Sequence, residues 1–316
     1  MPFGADRLFD LGMEQLAAGD VEEALRTADR LIRKQDPGGH ELRVSALLES
    51  DAIEDAVRAA EEGVARFPDE WSLYCTLGIA LARFDCFDEA AGALERALHC
   101  EGADPAEIHV NLATVRGMQG DWEACLAVLS DGEDWGDFEF PRMILQCDAL
   151  LELERWRDAT AFADATQQEW GDDLDPGMVG MLIAVRALAA FRANSDPRRA
   201  MKLAWEALRA APSQSRALEV IRLCDDLFSP TSRIFEVECA VELEDQEGAP
   251  LSFCSAYAVI AESLDEAMEF IQRYEENVSG GSPTLADFED LGPAALEACG
   301  VVEVIPIDGD DEGGEG

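Results

Sequence analysis

Lysine is nearly missing from this chain. Only Lys34 and Lys202 occur among 316 residues, and 24 lysines and arginines together face 67 aspartates and glutamates, a formal net charge of −43. A field of that sign repels the phosphates of nucleic acids and anionic membrane surfaces, so direct binding to either is not expected. Histidine is almost as scarce, with His40, His99 and His109 and none beyond. From residue 229 onward there is neither lysine nor histidine. That removes a Cys–His nucleophile, a Schiff-base lysine and a phosphate-loop lysine from the last quarter of the chain. The nine cysteines are an odd set without any Cys-x-x-Cys pair, which argues against a disulfide framework or a zinc site and fits a reducing compartment. No apolar run approaches the ~18 residues that a membrane helix needs. The first residues lack a basic stretch followed by an apolar one, so no signal peptide is expected. Gly-x-Ser-x-Gly is absent, and no Gly-rich loop follows a strand. The expectation is a cytoplasmic, non-enzymatic protein with no catalytic residues, no cofactor and no metal.

What the chain does have is internal repetition, in keeping with 48% hydrophobic content, enough to build a core. Small residues recur in pairs twelve apart: Gly12 and Ala24, Val44 and Ala56, Gly78 and Ala90, Ala113 and Cys125, Cys147 and Ala159, Leu188 and Ala200. Successive second members are spaced by about 34 residues, the period of a helix–turn–helix repeat. The step lengthens before the sixth pair, where the acidic Gly/Pro stretch at residues 171–177 intervenes. Between the helices of most pairs a polar turn precedes an apolar wedge, as in Gly19-Asp20-Val21, Asp51-Ala52-Ile53, Asp85-Cys86-Phe87, Gly120-Asp121-Trp122 and Glu154-Arg155-Trp156. Residues 213–228 read as a final amphipathic helix capping such an array.

Residues 71–97 carry the pattern best, as Tyr74-x-x-Leu77-Gly78-x-x-Leu81 followed by Ala90-x-x-x-Leu94-x-x-Ala97. The second half returns with its terminating proline as Ala56-x-x-x-Ala60-x-x-Gly63-x-x-x-x-Pro68 and as Ala200-x-x-x-Ala204-x-x-Ala207-x-x-x-x-Pro212. In these residues the chain, over roughly residues 5–212, resembles the tetratricopeptide repeat (TPR) family. The resemblance implies a mainly α superhelix whose first helices line a concave groove that holds a protein or peptide. Carried over residue by residue, the groove-facing candidates are Phe9, Met13, Leu16, Leu48, Cys75, Ile79, Arg83, Val110, Asn111, Thr114, Met118, Ile144, Leu145, Asp148 and Leu151. Some members clamp a partner's terminal carboxylate with paired Lys and Asn. Asn111 matches one such place, but Cys75, Ile79, Pro141 and Leu145 occupy others, so that mode is not expected here.

After Ser229-Pro230 the hydrophobic period changes to two. Phe235, Val237, Cys239, Val241 and Leu243 alternate with Glu236, Glu238, Ala240, Glu242 and Glu244, the pattern of a strand wet on one face. Residues 251–261 read as a second strand after a turn at 245–250. Ser263-Leu264-Asp265-Glu266 opens a helix with a capping box. A short helix is expected within 284–299 and a strand at 301–307, so the order predicted is β-β-α-α-β, a small α+β domain. The expected domains are residues 1–228 for the repeat array, 229–307 for the α+β domain and 308–316 for an acidic disordered tail. Residues 229–316 hold 22 acids and two bases.

Two meanings of this acidity stay open: a heavily solvated surface suited to high salt, or a surface that attracts a basic partner. The leading functional expectation is an interaction scaffold whose groove takes an apolar segment carrying basic residues. The alternatives are an acidic decoy of a basic nucleic-acid-binding protein and an enzyme of unrecognised type in the α+β domain. Oligomeric state is not legible.

Overall fold

The computed structural model describes residues 4–130, 135–194, 196–244, 249–294 and 297–307. The expected turn at 245–250 lies mostly outside them, and the expected disordered tail at 308–316 lies outside them wholly. The chain folds as two compact units, Met1–Leu153 and Glu154–Gly316.

The first unit contains nine helices among its described residues: α1 (Ala5–Ala17), α2 (Val21–Arg33), α3 (Gly38–Glu49), α4 (Ile53–Arg66), α5 (Trp71–Arg83), α6 (Phe87–Ala97), α7 (Pro105–Met118), α8 (Trp122–Ser130) and α9 (Glu139–Glu152). Each packs on the next, and the odd-numbered helices also touch one another in series from α1 to α9. They form an inner layer with the even-numbered helices outside. Close approach is what the small residues allow. Ala24, Ala56, Ala90, Ala113, Cys125 and Cys147 are fully buried, and a Cβ on Gly78 would stand 2.8 Å from Leu94 Cγ.

The turns within pairs share one construction. Gly19, Asp51, Asp85 and Gly120 all adopt positive φ, from 57° to 80°. The following residue then donates its N–H back to the helix: Asp20 to Gln15 O, Ala52 to Leu47 O, Cys86 to Leu81 O and Asp121 to Arg116 O, at 2.8–2.9 Å. This Schellman closure satisfies carbonyls that a helix end leaves open. It also fixes the exit angle, so each wedge residue arrives at the same place. Trp122, for example, lies against Gly117. Asp104 caps α7, its Oδ1 accepting the Ala106 N–H at 2.9 Å, with Pro105 preset for the first helical position.

The second unit begins with α10 (Trp156–Trp170), α11 (Pro176–Asn194), α12 (Pro197–Ala210) and α13 (Ser215–Asp225). The absence of a long apolar run is corrected here. Pro176–Ala193 is long and apolar enough by composition to cross a membrane, with two arginines interrupting it. In the fold 61% of it is buried, against α10, α12 and α13, as the core helix of this unit.

Next come β1 (Arg233–Glu244), β2 (Pro250–Ala261), α14 (Leu264–Val278), β3 (Ser282–Pro293) and β4 (Gly300–Ile307). They form an antiparallel sheet of order β3-β1-β2-β4. Phe235, Val237, Cys239 and Val241 are buried while Glu236, Glu238 and Glu242 are exposed, as alternation requires. α14 packs on the apolar face. Its start is capped as expected: Ser263 Oγ accepts the Glu266 N–H at 3.2 Å. The unit is held together across residue 228 as well. Arg273 of α14 donates to Asp225 at 2.6 Å, Tyr274 donates to the Pro212 carbonyl at 2.7 Å, and α13 packs against β4.

The α+β class stands, but the order is β-β-α-β-β. The helix expected within 284–299 is instead strand β3. Leu285, Phe288 and Leu291, three residues apart, imitate a helical stripe. The register against β1 shows how a strand accommodates them: it pairs Cys239 with Leu285 and Glu238 with Asp287, leaving Ala286 as an extra residue. That bulge brings Leu285 and Phe288, an odd number of residues apart, onto one face. Without β3, β1 would lie at an unpaired edge, and this non-local demand overrides the local pattern.

Glu275 of α14 is 2% exposed, and no cation pairs with it among the described residues. Its carboxylate accepts from the hydroxyl of Tyr257 at 2.6 Å and from that of Ser279. Burial, reinforced by this hydrogen bond, pushes the Tyr257 phenol far above its usual range, so it stays a donor. Tyr257→Phe is therefore expected to cost about 1–3 kcal/mol, the magnitude for leaving a buried hydrogen-bonding partner without its donor. Urea unfolding measures it; a loss below about 0.5 kcal/mol would mean that the bond contributes nothing net.

Candidate functional site

The exposed side of the odd-helix layer in the first unit is where the groove residues fall, and the structure sorts them. Met13 on α1, Ile79 on α5, Met118 on α7 and Ile144 on α9 are 40–47% exposed, a large value for apolar side chains. Arg83 and Thr114 are exposed beside them. Arg83 lies 3.9 Å from Asp51, a solvent-screened pair, and Thr114 turns its hydroxyl back to the Val110 carbonyl at 2.9 Å.

Other candidates are spent on packing. Cys75, Val110 and Leu151 are at most 8% exposed and offer nothing to a ligand. Phe9 and Leu16 lean on the first core cluster, Leu48 on the second and Leu145 on the cluster around Trp135; all four are half-buried. Asn111 and Asp148 are half-buried polar groups. The recognition surface is thus narrower than the helical stripe suggests, because the inner helices also pack on one another.

A polar strip crosses this layer that the sequence reading did not name. Glu41 of α3 accepts from the Ser72 hydroxyl of α5. Cys75 of α5 bonds to Asn111 of α7, and its thiol is pushed up to about 12 by burial and by Glu107. Both glutamates are half-buried and their carboxyls are raised above the ordinary range. For Glu41 the first cause is burial, with Glu70 and Asp36 repelling and Ser72 opposing. For Glu107 it is burial, then repulsion from Asp104 and from Glu41 itself. Among the described residues no Arg, Lys or His stands within ion-pair distance of either. The signal that could have found them is spacing: Glu107 is one helical turn before Asn111 on the same face. In a chain with 67 acids, that signal is lost among its own kind.

The other chemistry-bearing groups do not converge. Among the described residues no three His, Cys, Asp or Glu side chains are grouped as a metal would need. His99 bonds through Nδ1 to the Glu95 carbonyl at 2.7 Å at a helix end. His109 lies against the Trp135 ring. Of the nine cysteines, Cys254 alone is exposed.

No family model matches the sequence, and no curated protein matches it. Solved structures do. A tetratricopeptide repeat protein from Parabacteroides merdae aligns at 15% identity over 71% of this chain and 86% of its own, with a TM-score of 0.52. PilW, a type IV pilus biogenesis factor, aligns at 15% identity over 67% of this chain and 96% of its own, TM-score 0.55. The quorum sensor NprR from B. thuringiensis, in its apo form, aligns at 13% identity over 70% and 68%, TM-score 0.50. The helical array has the tetratricopeptide-repeat fold.

Proposed function

We propose that this protein is a non-catalytic interaction scaffold, and that the inner helix layer of residues 5–152 binds a protein segment carrying both apolar and basic side chains. The observation that carries the reading is the pair Glu41 and Glu107: two carboxylates partly removed from water, repelling each other, with no cation within ion-pair distance among the described residues to offset them. Such groups gain most when an outside guanidinium or ammonium arrives. Met13, Ile79, Met118 and Ile144 are exposed apolar side chains on the same layer of helices, and apolar side chains left in water on a repeat array mark contact surface. The tetratricopeptide-repeat fold supports the same reading by analogy alone.

A basic peptide that places two arginines among leucines tests it. Binding to the full chain is expected to weaken at least tenfold when Ile79 and Met118 are both changed to Glu. The association rate is expected to fall at least tenfold between about 0.05 and 0.5 M salt, because surface attraction is screened over a Debye length. A rate indifferent to salt would sink the electrostatic part of the proposal, and binding indifferent to both substitutions would sink the groove.

The decoy reading draws no such support. On the wet face of the sheet Glu236 and Glu238 are followed by Ala240, and the β2 strand beside them presents Cys254, Ala256 and Ala258. Glu236, Glu238, Asp287 and Glu289 come together at the β3 side of that face, with Glu242 further along β1 and Glu303 across on β4, rather than as an evenly spaced row.

A further inference from the structure

That group of acids lies at a place with a second property. β3 is an outer strand of the sheet, and its 12 residues are exposed at all but two positions. Natural edge strands are commonly short or covered, because unpaired N–H and C=O groups are a template for another strand. The opposite edge, β4, packs against α13; among the described residues nothing pairs with the outer side of β3.

We propose that the edge of β3 is a docking site for an extended basic segment of another protein, which adds to the sheet as a further strand. The register determines what such a segment must look like. Phe288 pairs with Val237 and Leu285 with Cys239, on the face that carries α14, and both are well exposed, at 48% and 39%. Asp287 pairs with Glu238 and Glu289 with Glu236 on the other face. Like charges directly opposite destabilise a sheet, and these four carboxylates line one shallow concavity. The edge therefore offers an apolar row above and a doubled acidic row below. Because side chains alternate along a strand, the incoming segment alternates apolar with basic residues. Main-chain bonds supply the pairing and the two rows supply the selection.

A second copy of this chain does not fit, since β3 against β3 brings Asp287 and Glu289 beside their own kind. Residues 308–316 of the chain do not fit either, with five acids and no base. The carboxylates already engage part of the strand: Asp287 Oδ1 accepts the Phe288 N–H at 2.8 Å and Asp290 Oδ1 the Gly292 N–H at 3.0 Å. These side-chain bonds can be exchanged for a ladder when a strand arrives, and the four residues 287–290, bounded by the two irregularities in register, are the regular stretch where it would seat.

The test uses the full chain and a synthetic nine-residue peptide alternating arginine and valine. Saturable binding is expected, with amide exchange at residues 287–290 slowed at least tenfold. The same peptide N-methylated at every second residue keeps its charge but cannot form a ladder, and is expected to bind at least tenfold more weakly. The pair D287K/E289K is expected to lose binding at least tenfold while melting no lower than the wild type, since it relieves both like-charge pairs. Equal binding by the methylated peptide would overturn strand addition without depending on any variant's folding. Loss of binding in E41Q/E107Q but not in D287K/E289K would place the peptide in the groove and overturn the proposal. So would a dimer of the free protein that dissociates in D287K/E289K, which would assign the edge to a second copy.

Discussion

Replacing Gly39 with alanine is expected to destabilise the first unit by about 2–3 kcal/mol, the upper range for overpacking. Gly39 lies in the first turn of α3 where that helix crosses α2. A Cβ there would stand 2.6 Å from the Ile32 nitrogen, 2.8 Å from Leu31 Cβ and 2.9 Å from the Ala28 carbonyl oxygen. Two of those three neighbours are backbone, and neither can turn aside as a side chain does. The helices must separate instead, and α3 is a member of the inner layer, so the shift is passed to α1 and α5. Gly92 on α6 is the control, since nothing lies within 4 Å of its added Cβ. Gly92→Ala is expected to stabilise by up to about 1 kcal/mol through helix propensity. Urea denaturation of both variants checks the pair. Equal stability of Gly39→Ala and wild type would show that the α2–α3 contact is loose, and the account of close approach would fail.

The double substitution Glu41→Gln, Glu107→Gln is expected to move stability and binding in opposite directions. In the folded chain both carboxyls titrate above the ordinary glutamate pKa of about 4.3. Folding therefore favours their protonated forms. The stability this contributes is complete below the ordinary value and is lost as pH rises through the raised folded values. At pH 7 the cost of holding two repelling carboxylates in partial burial is fully in place. Glutamine removes the charge and keeps an acceptor for the Ser72 hydroxyl, so the variant is expected to melt higher than wild type at pH 7. That advantage should vanish below about pH 4, where wild type is itself protonated. Binding of the arginine- and leucine-bearing peptide should fall at least tenfold at pH 7, because the peptide's cations lose their partners. Wild-type binding should weaken as pH drops toward the glutamate range while that of the variant stays flat. Calorimetric melting and a binding isotherm at three pH values decide it. A variant that is both less stable and unaltered in binding would make the two glutamates ordinary parts of the packing.

Much of the array was legible because its constraints are local. A turn that must end one helix and start the next within three residues needs a left-handed residue and then a wedge, and both recur at a fixed period from Gly19 to Glu154. Small residues twelve apart mark where two helices cross, since Cβ size sets the distance. Strand β1 announced itself for a similar reason, one wet face and one dry. The candidate groove was legible only in part. Helical spacing assigns Cys75, Val110 and Leu151 to the groove, yet all three are buried: the inner face is shared between an open side and the next inner helix, and spacing within one helix cannot say which side a neighbour covers. The coupling of Glu41 to Glu107 runs through α5, across 66 residues, and no local pattern records it.

The sequence by itself determined the repeat, the turn chemistry, the acidic field and the change of period after residue 229, because each follows from nearest-neighbour geometry or from summed charge. Tertiary structure decided which inner-face residues remain open, which of 67 acids are driven together and desolvated, and that Leu285, Phe288 and Leu291 belong to a strand. The reason is common to all three. Burial, electrostatic coupling and strand pairing depend on what lies opposite, and for β3 the partner that settled its conformation, β1, begins 49 residues earlier in the chain.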